Sequence, residues 1–149
     1  MEILDRLHQE GRLEGVELIL HTGDMCNDGS YLEEISGIKV IAVKGNADPV
    51  YTPYESELVL DLEGYKILLT HGHLYGVKDT NDRLFYRGKE IGADIVVFGH
   101  SHIPLTVEEE HMLMLNPGSI GFPRGLSSKS YAIVTLGDHI KVDLLEMED

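Results

Sequence analysis

Cysteine occurs once in this 149-residue chain, at Cys26, tryptophan is absent and proline occurs five times. A single thiol excludes an internal disulfide framework and any zinc knuckle built on paired cysteines, so a reducing, cytoplasmic setting is expected. Cys26 reads as a small buried hydrophobe. Long apolar runs are also lacking. None approaches the roughly 20 residues needed to cross a bilayer, and no basic segment followed by an apolar core and a cleavage site opens the chain. No membrane is expected among its partners.

Positive charge is scarce. Twelve Lys and Arg face 26 Asp and Glu, a formal charge of -14, which repels polyanions and excludes general nucleic-acid binding unless bound cations reverse the field locally. Acidic stretches such as Glu108-Glu109-Glu110 and residues 146–149 read as solvated surface.

What is present is one repeated grammar: an apolar, β-rich run followed by a glycine turn bearing a potential ligand. Residues 16–20 lead to Gly23-Asp24, 38–43 to Gly45-Asn46, 65–69 to His71-Gly72-His73, and 95–98 to Gly99-His100-Ser101-His102. Runs this short, bounded by glycine, predict buried strands. Helices are expected over residues 2–10, 31–35 and 79–91. Strands are expected over 105–107, 112–115, 131–136 and 140–145, with a hairpin turn at Gly137-Asp138. A second hairpin should join 57–62 to 65–69 through Glu63-Gly64, so the sheets should be mixed. Alternating strands and helices, with no repeat or linker, predict a single α/β domain over residues 1–149. Open α/β sheets bind ligands beyond the carboxyl ends of their strands, where every candidate residue lies.

Taken singly, Asp24 reads as a cap or loop carboxylate, Asn46 as a turn residue and His71 as a satisfied histidine. Together with His100 and His102, whose i, i+2 spacing can aim two imidazoles at neighbouring ions, they form an oxygen and nitrogen donor set suited to Mn, Fe, Zn and similar divalent metals.

In order and spacing, Gly23-Asp24 with Gly29, Gly45-Asn46, Thr70-His71-Gly72-His73 and Gly99-His100-Ser101-His102 resemble the motifs of calcineurin-like metallophosphoesterases. The small YfcE-like phosphodiesterases look most similar, through the His-Gly-His form and the later Asn116-Pro117-Gly118-Ser119. The resemblance implies a four-layer α/β/β/α sandwich of two facing mixed sheets. It implies metal-dependent hydrolysis of small-molecule phosphodiesters by a metal-bound hydroxide, with two divalent ions as cofactors, Mn first and Fe, Ni or Zn as alternatives. Asp24 would bridge the ions, Asn46, His71 and His100 would complete one, and His102 would bind the other. The catalytic residues would then be Asp24, Asn46, His71 and His100. Homo-oligomerisation is left open.

The family pattern opens with a strand ending in Asp-x-His, and this sequence has no such motif; residues 2–10 read as the helix that follows it. One explanation is an N-terminally clipped version of a complete enzyme; the other is a metal-poor relative. A retromer scaffold subunit with this fold shows that the family can serve as an interaction module, so a weakly active or inactive scaffold is the rival reading. Tight binding of at most one ion is expected.

Ala47 stands where many larger relatives carry an acid-donating histidine. Asp48 reads equally as an orienting carboxylate or a turn residue before Pro49. His73 is expected to approach the second ion or bond a carbonyl, Arg124 to meet a phosphate or simply lie in an ordered loop, and Arg83 and Arg87 to cover the cleft or stay solvated. His8, His21, His111 and His139 carry no motif and read as structural.

Overall fold

The computed structural model describes residues 2–148. Helix α1 (Glu2–Gln9) presents Leu4 and Leu7 to the interior, with Glu2 and Asp5 in its first turn and Arg6 and His8 in its last, as the helix dipole favours. Then come β1 (Ile19–His21), α2 (Cys26–Ser36), β2 (Val40–Ala42), β3 (Glu57–Leu62), β4 (Tyr65–Thr70), α3 (Asp82–Ile91), β5 (Ile95–Val97), β6 (Leu105–Glu109), β7 (Met112–Asn116), β8 (Lys129–Leu136) and β9 (Ile140–Met147). A short 3₁₀ turn, His73–Tyr75, follows β4.

Five strands form a mixed sheet in the order β3-β4-β5-β7-β6. Its centre, β4, β5 and β7, is parallel, and β3 and β6 pair antiparallel at the edges. The central strands carry apolar residues on both faces because both faces are covered. Leu68, Val96 and Met114 pack under Leu84 of α3 together with Phe98. On the other face, Ile67, Leu69, Ile95, Val97 and Leu115 meet Leu20 and Ile41 of β1 and β2, and Ala132, Val134, Ile140 and Val142 of β8 and β9. Outside these lie α1 and α2, with Leu4, Leu7 and Leu32 against Met147, Ile19 and Tyr131. The stacking is therefore α, β, β, α, a mixed α/β fold with a central mixed sheet.

The second β layer is divided. β1 and β2 form a parallel pair, β8 and β9 an antiparallel pair, and no ladder joins the pairs among the described residues. β1 is only half-buried along its length, whereas β5 is buried throughout. Two facing mixed sheets were expected; a five-stranded mixed sheet faces two two-stranded ones, because β1 has a ladder partner on one edge only.

Helix α2 was expected over 31–35 and instead starts at Cys26. Asn27, Asp28, Gly29 and Ser30 are poor helix formers. Tertiary contact supplies the start: the Cys26 N–H donates to Asp48 Oδ1 at 2.9 Å, a cap borrowed from 22 residues away. Helix α3 begins at Asp82 rather than 79, where the Asp82 N–H donates to Thr80 Oγ1. No helix of the described residues is long and apolar enough to cross a membrane.

Candidate metal centre

The turns after β1, β2, β4 and β5 bring four side chains to one point. His71 Nε2 lies 3.0 Å from Asn46 Oδ1, 3.1 Å from His100 Nδ1 and 3.3 Å from Asp24 Oδ2. The other ring nitrogen, Nδ1, stands 2.9 Å from the Thr22 carbonyl. A carbonyl can only accept, so Nδ1 carries the proton and Nε2 of the neutral ring is a bare lone pair. It faces an amide oxygen and a carboxylate oxygen, both acceptors. An N–H on His100 Nδ1, 3.1 Å away, satisfies that lone pair but leaves the two oxygens facing it unrelieved; a cation among the four atoms satisfies them all.

A proton is a poor candidate. His71 is 1% exposed, and burial holds its pKa below the usual histidine range, with the Thr22 hydrogen bond and the Asp24 charge opposing. Burial, with His71 next, brings His100 down to about 4. Both rings are therefore neutral near pH 7, the form in which imidazole binds metal. The spacing fits as well. Ligand atoms about 2.1 Å from a common tetrahedral or octahedral centre stand about 3.0–3.4 Å apart, the separations found around His71 Nε2. Among the described residues, no three His, Cys, Asp or Glu side chains close a metal-holding group by themselves; the convergence here needs the Asn46 amide. Two oxygens and two imidazole nitrogens suit a borderline divalent ion.

The loops approach one another only because glycine is present. A Cβ on Gly45 would stand 2.1 Å from Asp24 Oδ1, and one on Gly23, at φ +102°, would stand 2.9 Å from His71 Nδ1. Asp24, Met25, His100 and His102 all adopt left-handed backbone angles, φ 57–68°. Four non-glycine residues in that region store strain at this site.

Asp48 staples the loops together. Its Oδ2 accepts the N–H of Asp24 at 2.9 Å and of Gly45 at 2.8 Å, and Oδ1 accepts that of Cys26. Burial alone would raise this carboxyl, but the accumulated amide donors hold it below the usual range. Asp24 Oδ1 in turn accepts the Ala47 N–H at 2.8 Å. On the other side, fully buried Asn116 donates from Nδ2 to the Gly99 carbonyl and to Ser101 Oγ, bracing the turn that carries His100.

His102 stands outside this convergence. Its Nδ1 donates to the Phe122 carbonyl at 2.6 Å, which leaves Nε2 for a ligand. The Arg124 N–H donates to the His102 carbonyl, so residue 124 sits beside that histidine. His73 packs its ring 5.3 Å from His71 and 6.1 Å from His100, and its buried Nδ1 has no hydrogen-bond partner. Leaving a buried polar atom unpaired costs about 1–3 kcal/mol. Arg87 does not cover the cleft: its guanidinium donates to Glu57 at 2.9 Å and to Glu90. His21 accepts the Gly23 N–H at Nδ1 and shapes the Asp24 turn. The sequence reading missed the stapling by Asp48. The spacing Gly-Asn-x-Asp was its one visible signal.

The chain is similar to known proteins along nearly its whole length. The model of the calcineurin-like phosphoesterase superfamily domain matches residues 1–139. The probable metallophosphoesterase YsnB of Bacillus subtilis (strain 168) is 43% identical over 122 residues, 81% of this chain and 69% of that protein. Phosphodiesterase YfcE of Escherichia coli (strain K12) is 32% identical over 109 residues, 64% of this chain and 52% of its own length. Among solved structures, a conserved protein of Streptococcus pneumoniae TIGR4, described as a predicted phosphoesterase, superposes with TM-score 0.81 at 36% identity, covering 97% of this chain and 82% of that one. Vps29 of Entamoeba histolytica, solved with zinc, shares the fold at TM-score 0.75 and 23% identity, over 97% of this chain and 87% of that one. The chain belongs to the calcineurin-like phosphoesterase superfamily.

Proposed function

We propose that this chain is a metal-dependent phosphoesterase that hydrolyses phosphodiesters, with manganese as the favoured ion. The observation that carries the reading is the convergence of acceptor atoms on the lone pair of His71 Nε2. In this reading Asp24, Asn46, His71 and His100 hold one divalent ion, and Asp24 with His102 Nε2 contributes to a second. A divalent ion there supplies Lewis acidity, polarising a phosphoryl oxygen and lowering the pKa of an adjacent water.

The protein's part is positional. Asp48 and Asn116 fix the loops, so the donors need little reorganisation when substrate arrives. Arg124, beside His102, supplies positive charge for a phosphate oxygen. In the reaction, the oxygen of water bonds to phosphorus, the phosphorus–oxygen bond to the leaving group breaks, and a proton from that water ends on the departing oxygen. Ala47, next to Asn46, has no proton to give. Leaving groups of low pKa, such as phenolates, are therefore favoured over alkoxides.

One observation favours a second reading, a catalytically weak scaffold or regulatory module: only Asp24 and His102 are assigned to the second ion, and Vps29 shares the fold. The two readings separate on a single assay. The phosphodiesterase reading expects manganese-dependent cleavage of bis(p-nitrophenyl) phosphate that falls at least 100-fold in His71→Ala or Asp24→Asn. The same slow turnover in wild type and both variants would favour the scaffold.

A further inference from the structure

We propose that the rim of this centre binds the organic part of the substrate and selects phosphoesters of apolar alcohols, alkyl or aryl, over esters of sugars and other polar alcohols. The phosphate half of this inference rests on the phosphoesterase reading above; the rim adds the substrate class.

Twelve large apolar side chains are exposed among the described residues. Six of them lie on loops that carry or touch the ligands: Met25, Val50, Tyr51, Leu74, Ile103 and Phe122. Met25 directly follows Asp24, Leu74 follows His73, and Ile103 follows His102. Phe122 is held there by the hydrogen bond from His102 to its carbonyl. Val50 and Tyr51 lie midway along the connection from β2 to β3 that carries Asn46, and are almost wholly exposed, at 92% and 88%. Each of the four loops therefore sets an apolar group in water within a few residues of a ligand. Single exposed apolar residues need no explanation, but Met25 beside Asp24, Ile103 beside His102 and Phe122 bonded to His102 flank one polar centre, and such a set marks a binding surface.

The charge of the chain decides between occupants. A net -14 opposes association with a second copy of itself and with any polyanion surface. A small phosphoester escapes that penalty, because its one or two negative charges go to the cationic centre while its organic group goes to the rim. An apolar group gains from these side chains in proportion to the area it buries, whereas a sugar would leave hydroxyls facing groups that cannot bond them. The absence of a proton donor at Ala47 points the same way, since aryl alcohols leave without assistance.

The test is calorimetric titration of the manganese-loaded chain with methyl, hexyl and glycerol phosphate, which reads binding without turnover. Hexyl phosphate is expected to bind at least tenfold tighter than the other two; full burial of two of its methylenes suffices for a factor of that size. Phe122→Ser and Ile103→Ser should each cut that advantage at least threefold, while Tyr86→Ser, on exposed α3 surface, should leave it unchanged. Equal affinity for the three ligands, or no binding of any, would overturn the proposal. So would an advantage untouched by the rim variants, or a dimer that the same variants dissociate. A hexyl preference in a chain that hydrolyses no ester would uphold the rim and sink the phosphoesterase reading alone.

Discussion

The carboxylate of Asp48 accepts the backbone N–H of Asp24 at 2.9 Å, across 24 residues of sequence, and so fixes the loop that presents the Asp24 side chain to His71. The same carboxylate oxygen holds Gly45, next to Asn46. One side chain therefore sets the separation of two oxygen donors. Asp48→Ala should lower stability by about 3 kcal/mol, since hydrogen bonds to a charged acceptor contribute roughly 1.5–3 kcal/mol each and are not additive. It should also weaken manganese binding about 10–100-fold, the usual effect of losing a group that orients ligands. Asp48→Asn, which keeps an acceptor, should lose less of both. Denaturant unfolding and metal titration of the two variants check this.

Gly45→Ala addresses close approach rather than bonding. Its new methyl would meet Asp24 Oδ1 at 2.1 Å, with the Asp24 backbone N at 2.8 Å. The carboxylate must move, so metal affinity should fall at least tenfold while the melting temperature drops by only a few degrees. A variant that binds manganese like wild type would show that Asp24 need not sit where it does.

Acid should unfold the metal-free chain in a defined window. His100 falls to about 4 and His71 lies below 6.5 in the folded protein, so between pH 6.5 and about 4 the unfolded chain binds more protons. Stability then rises with pH across that window and is flat above it on account of these two groups. Asp48, with its depressed carboxyl, adds a further loss only below its ordinary 3.8. Melting curves from pH 4 to 8 should show the slope, and His100→Gln should flatten it.

Cys26 should be chemically silent in the folded state. It is 2% exposed, its thiol donates to the Val43 carbonyl and to Asp48, and burial with the Asp48 hydrogen bond pushes its pKa up to about 12. Thiolate is the reactive form. Labelling with a thiol reagent at pH 8 should be at least 100-fold slower in native protein than in denaturant.

Much of this site was legible because it is built at strand ends. Apolar runs announce β1, β2, β4 and β5, and a glycine with a ligand announces each turn, so Asp24, Asn46, His71 and His100 could be read as one group. The rest depends on contacts that no local pattern carries. Helix α2 starts at Cys26 because a distant Asp48 caps it, against the weak propensity of Asn27 to Ser30. Arg87 is taken by Glu57 on a neighbouring strand, which its own helix does not foretell. The divided second layer is a matter of strand pairing, and the apolar runs of β1 and β8 look no different from those of fully paired strands.

If a divalent cation binds among the lone pairs around His71 Nε2, removing that nitrogen must abolish tight binding. Titrating manganese into the wild-type chain and into His71→Ala, with circular dichroism to confirm folding, tests it most directly. Wild type should bind saturably at one tight site, and the folded variant at least 100-fold more weakly. Equal manganese affinity in both would contradict it.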